Sequence, residues 1–160
     1  MDTPAPTVVA LFRCPGHRAP MEPMSEVWVE ANWGIQGDAH ARSNSSRQVL
    51  LMDRETLEAL GLWPGAVREN ITLQGLPFHQ LRPGDRLQIG EALLEITQPC
   101  APCGRMDEIR PGLQEALHGR RGMLARVLQS GWIRCGDPVR WLKRPDRHPD
   151  ERSPSRSGSA

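Results

Sequence analysis

Cys100 and Cys103 stand three residues apart in Thr97-Gln98-Pro99-Cys100-Ala101-Pro102-Cys103-Gly104-Arg105-Met106, after an alternating apolar run and before a segment of helical character. A cysteine thiolate can serve as nucleophile, as soft-metal ligand and as carrier of a persulfide sulfur. The chemistry open to this chain therefore turns on what these two thiols are for. Cys103 falls between a strand end and a helix start, where unpaired N–H groups and the helix dipole favour a thiolate, and Arg105 adds positive charge nearby. Cys100 is read as a resolving thiol that reclaims a disulfide after transfer, or as a small buried apolar side chain.

Two other uses of the same sulfur atoms stay open. A Cys-x-x-Cys spacing with an internal proline suits a dithiol redox protein, although such pairs normally occupy a parallel β-α-β setting and this one ends an antiparallel hairpin. Cys14 and His17 of Cys14-Pro15-Gly16-His17 could join Cys100 and Cys103 as a Cys3His set, giving a zinc-stabilised binding module. Outside that set, Cys14 and Cys135 stand alone and read as packing residues.

Strands and turns must position these groups. Thr7 to Phe12, Glu26 to Glu30 and Arg47 to Met52 read as strands, with Gly34-Ile35-Gln36-Gly37-Asp38-Ala39-His40 as a glycine-punctuated turn between the last two. Asp53 is the expected N-cap of a helix that Gly61 and Pro64 stop. An extended segment through Ile71-Thr72-Leu73 closes at Gly75. After the turn Pro83-Gly84-Asp85, Arg86 to Ile89 and Ala92 to Thr97 form a hairpin about Gly90-Glu91. Short helices are expected over Arg105 to Ile109 and Pro111 to Leu117. Met123 to Leu128 and Trp132 to Arg134 flank Ser130-Gly131 as a second hairpin, and Pro138 to Leu142 is the last strand. Many short strands with glycine and proline turns and few helices predict a β-rich barrel or sandwich.

The chain has 160 residues, 20 basic and 19 acidic, for a net charge of +1. That balance gives no field for nucleic acid or an anionic membrane. No apolar stretch reaches the roughly 18 residues of a membrane helix, and no secretory signal is visible at the N-terminus. Four irregularly spaced cysteines fit a reduced, cytoplasmic protein better than a disulfide framework. From Arg144 onward the composition turns to Arg, Pro, Asp and Ser, which predicts a disordered tail over 144–160 after a single domain over 1–143.

Several signatures occur in a fixed order. Gly34-x-x-Gly37-Asp38-x-His40 precedes Arg47-Gln48-Val49; Pro64-Gly65 leads to Arg68-Glu69-Asn70-Ile71-Thr72 and Gly75. Leu81-x-x-Gly84-Asp85-x-Leu87-x-Ile89-Gly90, Pro102-Cys103, Gly119-Arg120-Arg121-Gly122 through Gly131, and Gly136-Asp137-x-Val139 follow. Together they resemble the MOSC domain, the module found at the C-terminus of molybdenum cofactor sulfurases and in small stand-alone proteins. The resemblance spans Val8 to Leu142. It implies a mostly antiparallel β-barrel with a few short helices that binds molybdenum cofactor (molybdopterin) or carries sulfur through its cysteine.

Cys103 occupies the family's cysteine position, which makes it the residue expected to carry sulfur or to ligate molybdenum, with Cys100 as its companion. The cofactor has an anionic tail and a polar pterin, so its site needs arginine or backbone donors. His40, Arg47, Arg120 and Arg121 are the expected donors, and Asn70 could read the pterin edge through its amide. The partners implied are a sulfur donor such as a cysteine desulfurase, or the cofactor itself. If the protein is a component of a cofactor-dependent reductase, reducing an N-hydroxylated compound for instance, rather than a sulfurtransferase, it needs an electron-transfer partner, because no Gly-x-Gly-x-x-Gly fingerprint is present.

Overall fold

The structure, a computed structural model, describes residues 5–144; the tail expected beyond Arg144 lies outside them. Eleven strands, three short α-helices and one 3-10 turn (Phe78–Gln80) are found among those residues. The strands are β1 (Thr7–Arg13), β2 (Glu22–Met24), β3 (Glu26–Glu30), β4 (Gly34–Ile35), β5 (Val49–Asp53) and β6 (Ile71–Gln74). They continue with β7 (Arg86–Ile89), β8 (Ala92–Pro99), β9 (Met123–Gln129), β10 (Gly131–Arg134) and β11 (Val139–Leu142). The helices are α1 (Arg54–Ala59), α2 (Met106–Ile109) and α3 (Leu113–Ala116).

Eight strands form one sheet in the order β11-β7-β8-β9-β5-β6-β1-β2, and β10-β3-β4 form a second. This corrects the expected closed antiparallel barrel: the sheets are open, and the larger one is mixed. The parallel pair is β5 with β6, in register Leu51↔Ile71, because the connection through α1 returns the chain to the same end of the sheet. The large sheet curls until the start of β1 meets the residues before β11 in a single bridge, Thr7↔Pro138. Val8 N donates to Asp137 O at 2.9 Å and Val139 N to Pro6 O at 3.0 Å on either side of that bridge, and among the described residues no second bridge follows it.

The β7–β8 hairpin forms as its alternation predicts, from Arg86↔Glu95 to Ile89↔Ala92. The second expected hairpin does not form. β9 pairs with β8 and β5, whereas β10 crosses to β3. The crossing is fixed where Ser130 Oγ accepts from Ala31 N at 2.7 Å, and where a Cβ on Gly131 would come within 2.7 Å of Glu91.

The two sheets enclose an apolar core that includes Leu51, Ile71, Leu87, Leu94 and Ile96 from one and Val27, Val29 and Ile133 from the other. A smaller cluster (Met52, Leu57, Val67, Met106, Leu113 and Leu117) seats α1, α2 and α3 against the outer face of β5. Asp53 caps α1 as expected, with Oδ2 accepting from Thr56 N at 3.2 Å. The same end of the sheet holds the close of β8, the approach to β6, and the loops after β4 and before β9. That is where the residues of chemical interest meet.

Candidate functional site

Cys100 follows the last residue of β8, and its backbone N donates to Gly122 O at 2.9 Å, pinning the strand end to the turn before β9. Its side chain packs with Leu50 and Leu124. Arg121, 7% exposed, donates from Nη1 to Cys100 Sγ at 3.0 Å and from Nε to Met106 Sδ at 3.3 Å. Two sulfur atoms are thus the hydrogen-bond partners of a buried guanidinium. Cys103 lies in the 100–105 loop and is exposed; its carbonyl accepts from Met106 N at 3.0 Å. α2 is a single turn with no side-chain cap, so it lacks the aligned peptides of a helix dipole. The positive charge near Cys103 comes from arginines instead.

These groups face one cavity of about 150 Å³, lined by His40, Arg47, Leu50, Arg68, Asn70, Cys100, Cys103, Arg105, Met106, Arg121 and Leu124. Four arginines line it, and no carboxylate does. None of the four takes part in an ion pair among the described residues. Arg105 Nε is moreover buried without a hydrogen-bond partner. Of the four, Arg121 is buried, Arg68 and Arg105 are half-buried and Arg47 is exposed, so the cost of burying guanidinium charge falls chiefly on Arg121, at several kcal/mol unless something compensates it. An anion would do so.

A fixed polar frame stands behind the cavity. Asp38 Oδ1 accepts from Cys14 N at 2.6 Å and from Asn70 Nδ2 at 3.0 Å, and Oδ2 accepts from His40 N at 2.9 Å. His40 Nδ1 lies 3.2 Å from the same Oδ2, while the ring reaches the cavity. Burial pushes the Asp38 carboxyl up, but the bonds from the His40 ring, Cys14 N and His40 N, with the charge of His40, outweigh it and hold the group below its ordinary value. Asn70 lines the cavity, yet its amide is engaged with Asp38 Oδ1, with Phe12 O at 3.3 Å and with Leu50 N at 3.0 Å. Its part is to brace the frame, and the amide is not free to read a pterin edge.

Of the residues expected from the sequence, Cys100, Cys103, His40, Arg47, Asn70 and Arg121 share this cavity. Arg120 does not. It is exposed, donates from Nη2 to Ala116 O at 2.8 Å, and borders a different cavity of about 800 Å³ that touches the first through Cys100. Arg68 was not foreseen. It sits at φ +65° and donates from Nη2 to Cys14 Sγ at 3.4 Å. The signal was its place between the Pro64-Gly65 turn and Asn70, where an aliphatic residue would satisfy a strand approach. Cys14, 1% exposed, is correspondingly part of the frame and not an isolated packing residue.

Cys14 and His17 are not gathered with Cys100 and Cys103. Among the described residues, the metal-capable side chains brought within 4.8 Å of one another are Cys14, Asp38 and His40. All four cysteines are free thiols.

The MOSC domain family model matches residues 35–140, about two thirds of the chain, and takes in every side chain of the cavity. The chain belongs to the MOSC domain family. None of the curated proteins matches it by sequence. Among solved structures, YuaD of Bacillus subtilis is similar at a TM-score of 0.72 and 19% identity, over 86% of this chain and 96% of that one. YiiM of Geobacillus stearothermophilus gives a TM-score of 0.71 at 24% identity, over 88% and 77% of the two chains. YiiM of Escherichia coli gives 0.67 at 19%, over 86% and 70%. At these identities the likeness establishes the fold. No helix among the described residues is long and apolar enough to cross a membrane.

Proposed function

We propose that this MOSC protein carries sulfur on Cys103 and receives the anionic end of the molybdenum cofactor among Arg47, Arg68, Arg105 and Arg121. The observation that supports this reading is the cavity itself: two thiols and four acid-free arginines on one wall-to-wall surface. Soft sulfur ligands suit molybdenum, and guanidinium groups suit phosphate. By donor chemistry the residues fit the cofactor. A cavity of about 150 Å³ admits only one end of it; the adjoining groove of about 560 Å³, which shares Arg68, Arg105 and Met106, offers room for the remainder. When bound, the cofactor would supply the redox or sulfur-accepting centre.

The chain's own residues do the rest. Cys103, exposed at the rim, accepts sulfur from a donor such as a cysteine desulfurase and presents it inward. Cys100, held by Arg121, is the second thiol. Asp38 meets His40 at its Nδ1 edge, so the ring that lines the cavity is oriented by the carboxylate. Incubation with a cysteine desulfurase and cysteine tests the reading: intact mass should rise by one sulfur, mapped to Cys103, and Cys103→Ser should abolish the gain. Molybdenum and pterin should accompany the wild-type protein when it is purified from a host that makes the cofactor, and should be lost from Cys103→Ser.

A further inference from the structure

The small cavity is more selective than cofactor binding requires. Its volume of about 150 Å³ lies well under the roughly 300–1,000 Å³ typical of sites for larger organic ligands. Its polar lining is four arginines, His40, Asn70 and two thiols, with no carboxylate to pair the cations. Asn70 is spent on the frame, and Arg121 commits Nη1 and Nε to the two sulfur atoms while still lining the cavity. Arg105 Nε is buried without a partner, and Arg47 and Arg68 enter no ion pair among the described residues. Such a site is matched to a compact, multiply charged oxyanion, which guanidinium forks bind through paired N–H···O bonds. A thiol lining the same cavity gives that anion something to react with.

We propose that the cavity takes thiosulfate, a small oxyanion bearing a sulfane sulfur, and transfers that sulfur to Cys103 with release of sulfite. The inference rests on the sulfur-carrier reading above and names the donor that reading leaves open. Cys103 loses its proton to solvent, and the thiolate attacks the outer sulfur of thiosulfate. A new S–S bond forms to Cys103, the original S–S bond breaks, and its electron pair leaves on sulfite. The products are the Cys103 persulfide anion and SO3²⁻, so atoms, charge and electrons balance with no further oxidant. The arginines hold the same three oxygens before and after the transfer and accept the charge that builds on the leaving sulfite. Continued turnover needs a nucleophilic acceptor for the persulfide; cyanide or dithiothreitol serves in vitro.

The test measures sulfite release and the mass of the Cys103 peptide after mixing the full chain with thiosulfate. Wild type should release one sulfite per chain in the first turnover and gain one sulfur on Cys103. Cys103→Ser should release none, whereas Cys100→Ser should retain the reaction at a reduced rate. Arg105→Gln and Arg68→Gln should each raise KM for thiosulfate about tenfold or more, since each removes a charge-assisted contact; sulfate should compete. Circular dichroism of each variant confirms that it is folded. If cysteine desulfurase loads Cys103 but thiosulfate yields no sulfite above a protein-free blank, the donor assignment is overturned while the carrier reading stands. If neither donor loads Cys103, both fall. Equal sulfite from wild type and Cys103→Ser, or an unchanged KM in both arginine variants, also overturns the proposal.

Discussion

Replacing Arg121 with methionine separates an arginine kept for a ligand from one kept for the fold. Arg121 is 7% exposed, and its contacts are Cys100 Sγ and Met106 Sδ, with no carboxylate. Arg121→Met forfeits two N–H···S hydrogen bonds, each worth less than the about 1.5–3 kcal/mol of a charged donor on oxygen because sulfur is a weak acceptor. It also removes a buried charge whose desolvation costs several kcal/mol, and the methionine stem fills most of the vacated space beside Leu50 and Leu124. The balance favours the variant by about 1–2 kcal/mol in the unliganded protein. With a urea slope of roughly 2 kcal/mol/M, the unfolding midpoint should rise by about 0.5–1 M. Tryptophan fluorescence at pH 7 in low salt, with a reductant present, reads the transition. Added sulfate or molybdate should stabilise wild type through mass action, and Arg121→Met by less. If the variant instead loses more than about 2 kcal/mol, the guanidinium is a structural member compensated by the fold. The Arg121 charge would then not be held in reserve for a ligand.

Three further outcomes follow from the same geometry. Cys100→Ser should still load sulfur on Cys103 but release it more slowly to an acceptor thiol, as read by time-resolved intact mass, because Cys103 is the exposed thiol and Cys100 lies behind it. Asp38→Asn should cost roughly 1–3 kcal/mol near neutral pH, by placing amide hydrogens either against both Cys14 N and Asn70 Nδ2 or against His40 N. Because the folded-state pKa of Asp38 is depressed below 3.8, its contribution is present above about that pH and lost as pH falls through the folded value. The gap between wild type and variant in urea melts should therefore narrow below about pH 4. Gly122→Ala should destabilise by about 1–3 kcal/mol: Gly122 sits at φ +115°, and an added Cβ would strike the Leu51 carbonyl oxygen. Urea melts of variant and wild type read the loss.

The hairpin β7–β8 was legible because its apolar positions alternate and a tight Gly90 turn joins the two strands. The Asp53 cap was legible for an equally local reason, a short oxygen side chain before a helical run. β10 was not. Ser130-Gly131 looks like a hairpin turn, and only contacts with Ala31 and Glu91, far away in the chain, send the strand to the other sheet. The parallel β5–β6 pair and the open edge at Thr7↔Pro138 are likewise decided by long-range packing that no local pattern encodes. The same division holds at the site. Cysteine spacing exposed the two thiols, and the Gly-x-x-Gly-Asp-x-His turn exposed His40. Arg120 and Arg121 are neighbours in sequence yet point to different cavities, and Cys14 meets Arg68 across the fold. Adjacency in a turn says nothing of which side chain goes inward.

If the arginine-lined cavity makes Cys103 the sulfur-carrying thiol, as proposed, Cys135 supplies an internal comparison. Both thiols are exposed, but Cys103 faces the arginines whereas Cys135 is outside the cavity, its sulfur donating to Met24 O at 3.6 Å. Peptide mapping after incubation with a cysteine desulfurase should place the added sulfur on Cys103 and leave Cys135 unmodified. Equal labelling of both, or none at either, would contradict the account.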